Sequence, residues 1–90
     1  MTRVTLTLIG KPGCHLCDDA KQVVSAVQRG VPPLHVEEVS LEDNPLWAEL
    51  YGDLIPVVLL NGVEHGHWTI DADSLRQAVE AALETASESR

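Results

Sequence analysis

Gly10-Lys11-Pro12-Gly13-Cys14-His15-Leu16-Cys17 holds both cysteines of a 90-residue chain, three positions apart. Before it, Val4-Thr5-Leu6-Thr7-Leu8-Ile9 is an apolar, β-branched run that reads as a strand from about Arg3 to Ile9. Both faces of that strand carry apolar or threonine side chains, which suits cover on two sides. Gly10, Pro12 and Gly13 then break regular structure and form the loop that presents Cys14. From about His15 the period becomes helical. Cys17, Ala20, Val24 and Val27, with Val23, share one face, while Asp18, Lys21, Gln22, Gln28 and Arg29 stay outside. Gly30 suits the C′ position of this helix and Pro32-Pro33 forbid its continuation. A Cys-x-x-Cys pair between a buried strand and a helix start reads as a dithiol redox site.

Composition narrows the function. Ninety residues make one domain, 1–90, with a core over about 3–86, and 44% apolar residues are ordinary for a folded chain. Six basic against 14 acidic residues give a net charge of −8, which disfavours nucleic acid and anionic membrane surfaces as partners. No charge-free apolar run approaches bilayer length. Met1-Thr2-Arg3 leads straight into the first strand with no cleavage site after it, so a cytoplasmic, reducing location is expected. A disulfide closing so tight a loop would restrict the unfolded chain little, so the cysteines are reactive or metal-bound rather than structural.

Beyond the first helix, Leu34-His35-Val36-Glu37 alternates like a half-exposed edge strand that Glu38-Val39 can extend. Asn44-Pro45 reads as an N-cap and first helical residue. The short helix they open has Leu46, Trp47, Leu50 and Tyr51 as its apolar content and ends at Gly52. Leu54-Ile55-Pro56-Val57-Val58-Leu59-Leu60 reads as a second buried strand, Asn61-Gly62 as a two-residue hairpin turn and Val63-Glu64-His65 as the returning strand. Asp71 is placed to cap the last helix, with Ile70 and Leu75 as a hydrophobic staple. Its buried face is Leu75, Ala78, Val79, Ala82, Leu83 and Ala86. The order β-α-β-α-β-β-α implies an α/β fold with a mixed four-stranded sheet and helices on both faces.

Cys14 is the expected nucleophile, because the loop–helix junction aims backbone N–H groups and the positive end of the helix dipole at its sulfur. Lys11 adds favourable charge if it folds back, whereas Asp18 and Asp19 oppose it if their carboxylates approach the sulfur. Cys17, one turn into the helix on its buried side, is the expected resolving thiol. A structural zinc site is the rival reading, but it normally takes four protein ligands. His15, His35, His65 and His67 show no ligand spacing, and no metal is expected. His15 either stabilises a thiolate as a cation or is an exposed loop residue of little effect. Trp68 either walls a substrate groove or is a half-buried packing residue, and Trp47 and Tyr51 read as core or rim packing.

On Lys11-Pro12-Gly13-Cys14-x-x-Cys17, Ile55-Pro56, the Asn61-Gly62 hairpin and the final helix, the chain resembles a glutaredoxin-like member of the thioredoxin superfamily over about residues 3–86. It is most similar to the short bacterial branch whose active site reads Pro-Gly-Cys-His-Leu-Cys. The resemblance implies a thioredoxin-like fold and thiol–disulfide oxidoreduction through Cys14 and Cys17. It implies a cis Pro56 facing the cysteines and an Ile55 backbone that pairs with an extended substrate. Lys11, His15, Ile55 and Pro56 are then the substrate-binding residues. No tightly bound cofactor is implied. Glutathione or another small thiol is the expected reductant, or else a flavoprotein reductase. The expected substrates are disulfides of proteins or small thiols, met by a monomer. Glutaredoxins usually carry Gly-Gly followed by an acidic or hydroxyl residue where this chain has Gly66-His67-Trp68, which weakens the case for glutathione. Two rival classes remain: a non-catalytic binding module of the same fold, and a metal or iron–sulfur carrier.

Overall fold

The computed structural model describes residues 4–31 and 34–88, with side chains to 84. Strand β1 (Val4–Gly10) leads to helix α1 (His15–Gly30), strand β2 (Leu34–Ser40), a 3-10 turn (Leu41–Asp43), helix α2 (Pro45–Tyr51), strands β3 (Val57–Leu60) and β4 (Val63–His67), and helix α3 (Ala72–Glu88). The sheet order is β2-β1-β3-β4, with β1 parallel to β2 and antiparallel to β3, and β3 antiparallel to β4. This is the expected mixed four-stranded sheet, with β2 at its edge.

Strand alternation sorts the apolar residues into two cores. Val4, Leu6, Leu8 and Val58 face Ala20, Val24 and Val27 of α1 and Leu75 and Val79 of α3. On the other side Ile9, Val57 and Leu59 meet Leu41, Ile55 and Cys17, with Trp47 and Tyr51 of α2 packed against them. The staple forms as expected: Ile70 and Leu75 are both buried in the first core, and Asp71 Oδ2 accepts the Ser74 N–H at 2.8 Å.

Several local expectations are corrected. Gly10 is not a breaker but the last residue of β1, paired with Ser40. Gly30 is the last helical residue and Val31 is the C-cap, its N–H reaching the Val27 and Gln28 carbonyls. Asn44 does not cap α2 through its side chain; its Nδ2–H donates to the Ser40 carbonyl at 3.1 Å. Leu46 and Leu50 face water, 68% and 59% exposed, so only Trp47 and Tyr51 tie α2 to the core. The strand read over Leu54–Leu60 starts only at Val57. Strand β4 runs on to His67, with His65 bulged between the Leu59↔Glu64 and Val58↔Gly66 pairs. Asn61 and Gly62 take φ of 51° and 86°, as a tight hairpin turn requires. The Arg3 strand start, Pro32-Pro33 and the Ala86 side chain lie outside the described residues. Among the described residues no helix is long and apolar enough to cross a membrane.

Candidate functional site

The C-terminal ends of β1 and β4 and the N-terminal end of β3 meet at one end of the sheet, where Ile9↔Val57 and Val57↔His67 are paired. The cysteine loop leaves β1 there and the Leu54–Pro56 segment enters β3 there. Gly13 makes the loop turn with φ +79°, a conformation that few other residues adopt without strain. Cys14 follows in extended geometry as the N-cap of α1. Its Sγ accepts the Cys17 N–H at 3.2 Å, and its carbonyl accepts the Asp18 N–H at 3.1 Å. The sulfur therefore occupies the place of a capping oxygen, facing donors that the helix leaves free.

Cys17 is 3% exposed, and both thiols are free. Burial pushes the Cys17 thiol up to about 11, helped by its hydrogen bond to Cys14 and opposed by the Lys11 backbone. The close fit has a visible cause. A Cβ on Gly10 would stand 2.9 Å from Cys17 Sγ, so only glycine lets strand and sulfur approach this closely. Sequence reading took Gly10 for a breaker and missed this role, because the contact spans seven positions and leaves no local pattern.

Ile55 packs in the same apolar cluster as Cys17, with Cys14 against it, and the Ile55–Pro56 peptide bond is cis. Among the described residues neither the N–H nor the C=O of Ile55 has a hydrogen-bond partner, while its neighbours are held. The Trp68 N–H donates to the carbonyls of Pro56 at 2.9 Å and Leu54 at 3.2 Å, and its Nε1–H donates to the Asp53 carbonyl at 2.9 Å. Trp68 does this at φ 64°, a conformation that costs a bulky residue about 1–3 kcal/mol. Its ring meets His67 edge to face at 4.9 Å, and His67 Nδ1 lies 3.0 Å from Glu64 Oε2. Trp68 lies outside both buried cores and is 53% exposed, with its ring against His67. Trp47 and Tyr51, edge to face at 6.2 Å, pack beneath the site as expected.

His15 is exposed at the first position of α1. Lys11 is exposed too. With Gly10, Cys17, Lys21, Glu38 and Ser40 it lines an open cleft of about 340 Å³ on the β2 side, away from Ile55. The Lys21 Nζ–Glu38 Oε1 pair, 3.3 Å apart, stands in that cleft. Among the described residues no three His, Cys, Asp or Glu side chains gather as a metal-holding group. The arrangement brings together Cys14, Cys17 and Ile55, with Pro56 joined to Ile55 through the cis bond, and leaves His15 and Lys11 on the rim.

Residues 5–80 match the family model described as Glutaredoxin-like domain (DUF836). An uncharacterized protein of Mycobacterium tuberculosis is 30% identical over 80 residues, 84% of this chain and 82% of that protein. A thioredoxin of Methanocaldococcus jannaschii is 34% identical over 64 residues, 69% of this chain and 75% of that one. The X-ray structure of protein XcR50 from X. campestris superposes with a TM-score of 0.69 at 31% identity, covering 84% of this chain and 96% of that one.

Proposed function

The chain belongs to the glutaredoxin-like domain family, and from that premise we propose that it is a thiol–disulfide oxidoreductase working through Cys14 and Cys17. The observation that carries the reading is the division of labour between the sulfurs: Cys14 caps the helix at the surface, and Cys17 is buried within hydrogen-bond reach of it. The Cys14 thiolate attacks one sulfur of a substrate disulfide. A new S–S bond forms, and the other substrate sulfur leaves with the electron pair of the broken bond. The Cys17 thiolate then attacks Cys14, and the second substrate thiolate departs. The substrate has gained two electrons and the chain carries a Cys14–Cys17 disulfide, which an external dithiol or two equivalents of a small thiol reduce.

Ile55, with both main-chain groups unpaired beside the cysteines, is suited to pair with an extended substrate segment. His15 adjoins Cys14 at the first position of α1, while Lys11 stands on the rim toward the β2-side cleft. Gly66-His67-Trp68, standing where glutaredoxins carry Gly-Gly, favours polypeptide disulfides over glutathione conjugates, with a reductase as electron donor.

Reduction of a glutathione mixed disulfide and of a protein disulfide, in wild type, Cys14→Ser and Cys17→Ser, tests the proposal. Loss of turnover with Cys14→Ser is expected in any assay that works. A wild-type chain inert toward both disulfides, with either reductant, overturns it in favour of a binding module.

A further inference from the structure

Trp68 takes no part in the sulfur chemistry, yet its conformation needs a reason. Its main-chain N–H holds the carbonyls on either side of Ile55, and its indole N–H holds that of Asp53. Main chain and ring are thus each held by a hydrogen bond, while the residue remains 53% exposed. The one polar atom of the indole is taken, and the main chain that carries the ring is bonded to both neighbours of the unpaired Ile55. Glycine would accept the same left-handed backbone and keep both main-chain bonds. The strain of a tryptophan is therefore tolerated for the ring itself.

We propose, resting on the oxidoreductase reading, that Trp68 is a specificity-determining residue. Its indole receives an apolar side chain of an extended polypeptide lying along Ile55, and so favours polypeptide disulfides over those of small thiols. The two contacts belong together, because in an extended segment the main chain pairs laterally while alternate side chains point to one side. Leu16, in the first turn of α1 two residues after Cys14, is exposed as well.

The test uses Cys17→Ser chains, so that only Cys14 reacts, and two activated probes. These are the thionitrobenzoate mixed disulfides of a short peptide, whose cysteine is flanked by Val and Thr, and of N-acetylcysteine methyl ester. Attack by Cys14 forms the mixed disulfide with the probe's cysteine and releases thionitrobenzoate with the electron pair, which is read by absorbance. The peptide-to-small rate ratio is expected to fall about tenfold on Trp68→Gly, the worth of one aromatic contact. Trp68→Phe is expected to restore most of the ratio, and Trp68→Gly, which loses the Asp53 bond but sheds the left-handed strain, is expected to keep a thermal midpoint close to wild type. An unchanged ratio overturns the proposal. So does a ratio that falls together with the thermal midpoint, since that assigns the residue to folding alone. Any accessible thiolate reacts with these probes, so inertness toward unactivated disulfides would defeat the oxidoreductase reading while this comparison still stood.

Discussion

At Gly10 a single hydrogen atom sets the distance between a strand and a sulfur. Gly10→Ala places a methyl group 2.9 Å from Cys17 Sγ, so the sulfur must move. The attack of Cys17 on the mixed disulfide is then expected to slow by about tenfold or more, because small misplacements of a reacting atom cost that much. Formation of the mixed disulfide at Cys14 is much less affected, and stopped-flow resolution of the two steps would show both. Equal slowing of the two would mean that the methyl group acts on the whole loop. The Cys17 thiol makes a second prediction. Its pKa is pushed from an ordinary 9.0 up to about 11, so the folded chain keeps a proton that the unfolded chain has lost. The stability this contributes is complete below pH 9 and is lost as pH rises from 9 toward 11. Urea midpoints of the reduced protein should decline across that window, and Cys17→Ala should flatten the decline. Identical slopes in the two chains would assign the titration to another group.

At the scale of elements, Asp71 and Asn44 have the same look in sequence and different places in the structure. Asp71→Ala removes a cap bond of 2.8 Å and should cost about 1 kcal/mol by chemical denaturation. Asn44→Ala removes only a bond to the Ser40 carbonyl and should cost clearly less than Asp71→Ala. A larger loss at Asn44 would show that the 3-10 turn, rather than α2, needs that side chain. Helix α1, the hairpin and α3 were legible because periodicity, turn chemistry and capping agree in each. The start of β3 was not. Leu54-Ile55-Pro56 is as apolar as the strand it precedes, and hydropathy does not separate a strand from a buried loop. The decision is made by hydrogen bonds. Pro56 has no N–H to give, and the carbonyls of Leu54 and Pro56 are taken by Trp68. Trp68 itself was illegible as a clamp, because nothing in a tryptophan's identity signals a left-handed backbone.

For the molecule as a whole, the sheet and both cores were readable, since each depends on sums over many residues. The pairing of Gly10 with Cys17 and the isolation of Ile55 were not, since each depends on one contact. The net charge is a sum of the same robust kind. With −8 on so small a chain, a reductase or protein substrate should present a complementary positive patch, and raising ionic strength should slow turnover through slower association. A rate indifferent to salt would exclude electrostatic steering. The Ile9↔Val57 pair carries the last consequence. Both residues are fully buried, on the two central strands, and from this one rung hang the loop with Cys14 and the segment with Ile55. Parting those two segments at their root means parting β1 from β3, and with them both cores. Slow amide exchange at Ile9 and Val57 should therefore track global unfolding. Under heat or denaturant the population then holds intact and unfolded molecules with little between them, and lost activity counts molecules rather than measuring a gradual loosening of each.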